Sequence, residues 1–150
     1  MRVATLFLAA LFMTGPAAAS GGFSCRVEDE SASIRLHGGV TRGMGSPVLS
    51  LRGEIEIRGS EVAADLRDTR FERTHLAQYW LDGSQLRLVL YRERDGGKPH
   101  GYAELIVITT AREDGAFAGS YRLEMLDMTG ATSGEGRTAR FEGEITCSVE

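Results

Sequence analysis

Leu49-Ser50-Leu51-Arg52-Gly53-Glu54-Ile55-Glu56-Ile57-Arg58 decides the fold class. Its odd positions are apolar or glycine and its even positions are polar. That is the period of two shown by a strand with one buried face and one wet face. On this alternation Leu49, Leu51, Ile55 and Ile57 all face inward. The pattern returns near the C-terminus, where Ala139, Phe141, Gly143, Ile145, Cys147 and Val149 interleave with Thr138, Arg140, Glu142, Glu144, Thr146 and Ser148. Cys147 therefore belongs to the core side. Phe23 and Val27 share the parity of Cys25, so both cysteines present their sulfurs to the same interior.

Turn chemistry cuts the rest into segments of similar length. Gly59-Ser60 separates the first strand from a segment at Glu61 to Arg67, and Asp82-Gly83 joins His75 to Leu81 with Gln85 to Arg94. Asp95-Gly96-Gly97 and Lys98-Pro99 lead into Gly101 to Arg112, and Asp114-Gly115 into Ala116 to Met125. Asp-Gly pairs supply the positive φ angles of tight hairpins. Gly38-Gly39, with Gly43 and Gly45, reads as a flexible loop through Ser46. Three segments, Leu51 to Ile55, Phe117 to Tyr121 and Phe141 to Ile145, share the pattern apolar-x-Gly-x-apolar. A glycine on the inner face of a strand marks strong bending or the close approach of another group.

Short strands joined by such turns, with no helical period, predict an all-β chain. The expected architecture is a single antiparallel up-and-down β-barrel of eight or nine strands, calycin-like, with a β-sandwich as the alternative. Residues 20–150 form one domain in this reading. Pairing of the first and last strands is what closure of a barrel requires, and a Cys25–Cys147 disulfide links those strands.

Met1-Arg2, an apolar run over residues 3–13 and the small residues Ala17-Ala18-Ala19 have the three parts of an export signal. Cleavage is expected after Ala19, which removes residues 1–19 and places the protein in the periplasm or outside the cell. The apolar run is too short to span a membrane. Two cysteines in an oxidising compartment form one bridge, worth roughly 4–5 kcal/mol if it closes a loop of about 100 residues. With 17 basic and 21 acidic residues interleaved, the net charge of −4 offers no electrostatic footprint for nucleic acid.

The three histidines, His37, His75 and His100, fall in separate segments without metal-ligand spacing, and no G-x-S-x-G elbow or phosphate-cradling loop occurs. No catalytic residue, metal or cofactor is assigned. Asp65 to His75 is the densest ionisable stretch. Asp68, Arg70 and Glu72 share one side of a strand there, as a solvated ion-pair ladder.

The middle of the chain departs from the one-sided pattern. Leu86, Leu88 and Leu90 oppose Arg87, Val89, Tyr91 and Glu93, while Tyr102, Ile106 and Ile108 oppose the equally apolar Ala103, Leu105 and Val107. A half-solvated sheet with two apolar faces needs a cover for the outer one: a loop, a second copy or a partner. Tyr79, Trp80, Val89, Tyr91, Arg92 and Tyr102 are the candidate contact residues. The expected function is a non-enzymatic binding module of the cell envelope that presents this face to itself or to a protein partner. The alternative is a lipocalin-like carrier holding a small apolar ligand inside the barrel.

Overall fold

The computed structural model describes residues 20–41, 47–131 and 134–150. The expected export signal at 1–19 and the centre of the glycine loop at 42–46 lie outside the described residues. Nine strands form one antiparallel sheet: β1 (Ser20–Glu28), β2 (Ala32–Thr41), β3 (Val48–Ile57), β4 (Asp68–Glu72), β5 (Leu76–Leu81), β6 (Gln85–Glu93), β7 (Gly101–Ala111), β8 (Phe117–Asp127) and β9 (Arg137–Val149). Their order is β4-β3-β2-β1-β9-β8-β7-β6-β5, a nearly closed barrel.

β1 and β9 pair antiparallel with Cys25 opposite Cys147, and the two sulfurs are bonded. The terminal strands are therefore neighbours in the middle of the sheet. The opening lies elsewhere, between β4 and β5, the two ends of the strand order.

Strand direction accounts for that opening. With every pairing antiparallel, β1, β3, β6 and β8 run one way and β2, β4, β5, β7 and β9 the other. An odd number of strands cannot alternate all the way round a ring, so one neighbouring pair must run in the same direction. That pair is β4 and β5. They are two parts of one course of chain, broken by a 3-10 turn at Arg73–His75. The first part pairs with β3 and the second with β6. Nine strands thus occupy eight places around the ring.

Inward side chains of both halves make one apolar cluster. Ile34 and Leu36 of β2, Leu86, Leu88 and Leu90 of β6, Leu105 and Val107 of β7 and Leu123 of β8 are completely buried within it. Burying each such side chain contributes about 1.5–3 kcal/mol. The three inner-face glycines leave room for specific groups. A β-carbon at Gly53 would meet Leu36 and Phe71, one at Gly143 the ring of Tyr121, and one at Gly119 the backbone of Ile108 and Thr109. Close approach is what all three admit.

Four local expectations are corrected. The segment Glu61 to Arg67 is not a strand: it contains the one-turn helix α1 (Ala64–Arg67), with Leu66 buried on the helix and Val62 buried just before it. Gly38 and Gly39 are strand residues of β2, not loop. Leu49 does not face inward. The β2–β3 register steps from Gly39 opposite Ser50 to Val40 opposite Val48, so Leu49 is the extra residue of a bulge. Val48 takes its place in the core and Leu49 is 62% exposed. The Asp82-Gly83 turn works without a positive φ at Gly83, unlike Gly115 at 82°. Here the Asp82 carboxylate accepts hydrogen bonds from Ser84 N–H, the Ser84 hydroxyl and Gln85 N–H, so the side chain itself holds the turn.

Candidate functional site

The outer surface of β5 to β8 follows from the register. One cross-strand row reads Gln78, Val89, Ile106, Arg122; the next reads Trp80, Arg87, Ile108, Ser120. Val89 and Ile106 are direct partners, Ile106 and Ile108 are two apart on β7, and Trp80 stands at the β5 end. Trp80 is 58% and Ile108 49% exposed. A shallow groove beside them, floored by Ile106 and Ile108 and rimmed by Arg122, Glu142 and Glu144, extends the apolar ground to β9.

Tyr91 and Tyr102 continue the face, their ring centroids 5.3 Å apart. The Tyr102 hydroxyl donates to Glu124 Oε1 at 2.6 Å, and Arg140 Nε donates to Glu124 Oε2 at 2.7 Å. The Glu124 carboxylate and partial burial push the Tyr102 phenol up to about 12. Glu124 is held below its usual range by the same Tyr102 bond and by Arg140. Tyr91 is also raised, by burial and by its bond to Glu93. The Trp80 indole N–H donates to Asp82 Oδ2 at 2.9 Å, which ties the ring to the β5–β6 turn.

Of the six contact residues expected from the sequence, four share this face: Trp80, Val89, Tyr91 and Tyr102. Tyr79 has the opposite parity and packs against the core as the partner of Leu88. Arg92 is likewise on the inward parity of β6. It spans the opening, with Nη1 donating to the Arg70 carbonyl at 2.5 Å and Nη2 2.7 Å from Asp95 Oδ2. Adjacent residues of a strand point to opposite faces, so Tyr79 with Trp80, or Tyr91 with Arg92, cannot anchor one surface. Ile106 and Ile108 belong to the face and were visible in the two-sided pattern of β7.

A second group of polar residues, unforeseen from the sequence, closes the end of the barrel where β3, β6 and β8 finish. The Arg94 side chain is 4% exposed. Its Nη1 lies 2.9 Å from Asp127 Oδ1 and 2.9 Å from the Pro99 carbonyl; its Nε lies 3.0 Å from Asp65 Oδ2 without hydrogen-bond alignment. Lys98 also reaches Asp65, and Arg137 reaches Asp127. Burial acts to raise Asp127, but the hydrogen bonds from Thr129, Arg94 and Arg137 outweigh it and hold the carboxyl well below its usual range. Arg94, Asp65 and Lys98, with Arg92, Asp68 and Thr69, line a cleft of about 180 Å³ between β4 and β6. Asp65 is paired with Arg94 and Lys98, and Asp95 with Arg92, which suits a latch across the opening.

His37 lies on β2, His75 accepts the Glu72 N–H through Nδ1 within the 3-10 turn, and His100 is in the β6–β7 loop. Among the described residues no three His, Cys, Asp or Glu side chains are placed to hold a metal ion, and no helix is long and apolar enough to cross a membrane. Comparison of the chain with protein-family models, with curated proteins and with solved structures gave no match in any of the three.

Proposed function

We propose that this domain is an exported, non-enzymatic binding module whose contact surface is the outer face of β5 to β7. The observation that carries the reading is the joint exposure of Trp80 and Ile108 on the face that also holds Val89 and Ile106. Val89, Ile106 and Ile108 adjoin one another, with Arg87 between Ile108 and Trp80. Large aromatic and branched apolar side chains are the composition of an interface centre, and the charged Arg122, Glu142 and Glu144 that of its margin. Export is supported by the leader-like N-terminus and by the disulfide.

Two observations support binding over catalysis and over an interior ligand. Around this face Glu124 and Asp82 are held ionised and Tyr91 and Tyr102 protonated, so none is tuned toward proton transfer near neutrality. The interior is occupied by the protein's own leucines, isoleucines and phenylalanines.

Site-specific photocrosslinking in the native compartment tests the reading. A photoreactive side chain at position 80, 89 or 108 is expected to give discrete protein adducts, while the same group at Arg35 or Glu54 on the opposite wall gives none. Adducts from the opposite wall alone, or from no position, overturn it.

A further inference from the structure

The wall opposite the contact face carries a groove of different chemistry. On β1 and β2 the outward residues alternate with the buried Phe23, Cys25, Val27, Ile34 and Leu36, which places Ser24, Arg26, Arg35 and His37 on the outer surface. The register sets Arg26 directly opposite Arg35, and His37 opposite Arg52 of β3. Like charges in direct cross-strand positions are destabilising, so sheet pairing gives no reason for this arrangement. On the β9 side the register brings Ser148 beside Ser24 and Thr146 beside Arg26. A groove of about 450 Å³ runs over this junction, with Ser24, Arg26, Arg35, His37, Thr146 and Ser148 as its polar lining. No carboxylate lines it, although the chain has more acidic than basic residues. The groove beside Ile106 and the cleft between β4 and β6 both hold several. Glu54, the β3 partner of Arg35, stands outside the groove. Glu28 lies 3.9 Å from Arg26 and 3.8 Å from Arg35, beyond hydrogen-bond range, and its carboxylate is engaged by Arg58 and by the Ser33 hydroxyl. Among the described residues no other carboxylate comes within ion-pair range of either guanidinium.

We infer that this groove binds a phosphate group, carried by a small soluble ester or by a lipid headgroup. A phosphate presents its oxygens on a tetrahedral frame and takes donors from more than one side. Arg26 and Arg35 supply two guanidinium forks from adjacent strands, the donor type best matched to phosphate oxygens. Ser24 Oγ and Ser148 Oγ lie 2.9 Å apart. Whichever of them donates, the accepting hydroxyl keeps its own proton for a ligand oxygen. A bound phosphate also neutralises the repulsion between Arg26 and Arg35, so its binding stabilises the folded state. The site lies on β1, β2 and β9, away from β5 to β7, and does not rest on the binding-module reading.

Amide chemical shifts of the isotope-labelled protein, titrated with inorganic phosphate and with glycerol phosphate against sodium chloride of equal ionic strength, test the soluble source. Co-sedimentation with phosphatidylglycerol vesicles, set against phosphatidylcholine vesicles, tests the headgroup. The expected result is saturable shifts centred on residues 24–26, 35–37 and 146–148, or retention by the phosphatidylglycerol vesicles alone. The first outcome assigns the groove to a soluble phosphate, the second to a headgroup. Arg35→Gln is expected to weaken binding about ten-fold, the share of one charged hydrogen-bonding group. Its urea midpoint without ligand should be unchanged or higher, because a repulsion is gone. Arg87→Gln, on the contact face, is expected to leave binding unaltered. Shifts that chloride reproduces, no saturation with any probe, or an undiminished affinity in Arg35→Gln overturn the site. A lower urea midpoint in Arg35→Gln with unchanged affinity also overturns it and makes the arginine a structural partner of Glu28.

Discussion

Arg94 Nη1 lies 2.9 Å from Asp127 Oδ1, with 4% of the arginine side chain and 6% of the aspartate exposed. The pair links the chain just beyond β6 to the end of β8, and through Asp65 to the helix α1 that precedes β4. It thereby fastens the two sides of the opening at one end of the barrel. A buried charge left wholly uncompensated costs about 3–5 kcal/mol; without Arg94, Asp127 keeps Arg137 and the Thr129 N–H, and Asp65 keeps Lys98. Arg94→Met is therefore expected to lower unfolding stability in urea titration by less than that, by about 1–3 kcal/mol. Adding Asp127→Leu should recover part of the loss, because an apolar pair of similar volume needs no counter-ion. If the double variant is less stable than the single one by the full cost of Asp127→Leu alone, the two residues are not coupled.

The same carboxylate sets an acid limit. Asp127, Asp65 and Asp29 are all held below the usual aspartate range in the folded protein. In the unfolded chain each titrates near its ordinary value of about 3.9. The unfolded state therefore binds more protons between those values, and stability present above about pH 4 is lost as pH falls below it. Asp127→Asn should flatten the dependence of the urea midpoint on pH in that acid window while leaving its shape above pH 5 unchanged. An unaltered acid slope would show that Asp127 is not among the groups responsible.

The β2–β3 bulge gives an opposite pair of expectations at neighbouring residues. Val48 is 2% exposed and Leu49 is 62% exposed. Val48→Ala should cost about 2 kcal/mol through lost burial and the space left behind, while Leu49→Ala should stay within about 0.5 kcal/mol. Periodicity alone predicts the reverse. Denaturation of the two single variants decides which residue fills the core.

Much of the barrel was legible because period-two alternation is a direct consequence of a one-sided sheet. Cys25 and Cys147, read as inward and paired, are register partners in adjacent strands. What escaped reading has physical causes. An extra residue at Leu49 breaks the register without breaking the pattern of residue types. The helix α1 is a single turn with one buried residue, Leu66, too brief to stand out in a chain of strands. The choice between eight and nine strands turns on the 3-10 turn at Arg73–His75, which divides one course of chain between two partners. Within the candidate site, aromatic clustering located the right strands, but the neighbours Tyr79 and Trp80 were taken together although alternation sends them to opposite faces. Arg94 and Asp127 meet through the pairing of β6, β7 and β8, and Asp65 joins them only through closure of the barrel; nothing local in the sequence joins the three.

Gly119 tests close approach at an inner-face glycine. A β-carbon built there falls 2.0 Å from the Ile108 carbonyl oxygen and 2.8 Å from Thr109 Cα, both backbone atoms of the adjoining strand. Gly119→Ala must therefore separate β7 from β8 locally, and a loss of roughly 1–3 kcal/mol is expected. Gly83→Ala has open space around it and should be near neutral, within about 0.5 kcal/mol. Equal thermal stability of the two variants would contradict the close packing at Gly119.

Tyr102 provides a spectroscopic report on the aromatic face. Its hydroxyl donates to Glu124, and the negative acceptor makes loss of the phenolic proton harder, pushing the group up to about 12. A raised value in the folded state means that this stabilisation is complete below the ordinary tyrosine value of about 10 and is lost as pH rises through about 12. Ultraviolet titration of phenolate absorbance is expected to show Tyr102 ionising last on the outer face, with Glu124→Gln moving it back toward 10 because the accepting charge is gone. Tyr102→Phe should remove that alkaline step and free Glu124 to pair with Arg140 alone. If Glu124→Gln leaves the titration of Tyr102 where it was, burial and not the carboxylate sets its proton affinity, and the Tyr102–Glu124–Arg140 chain does not organise this surface.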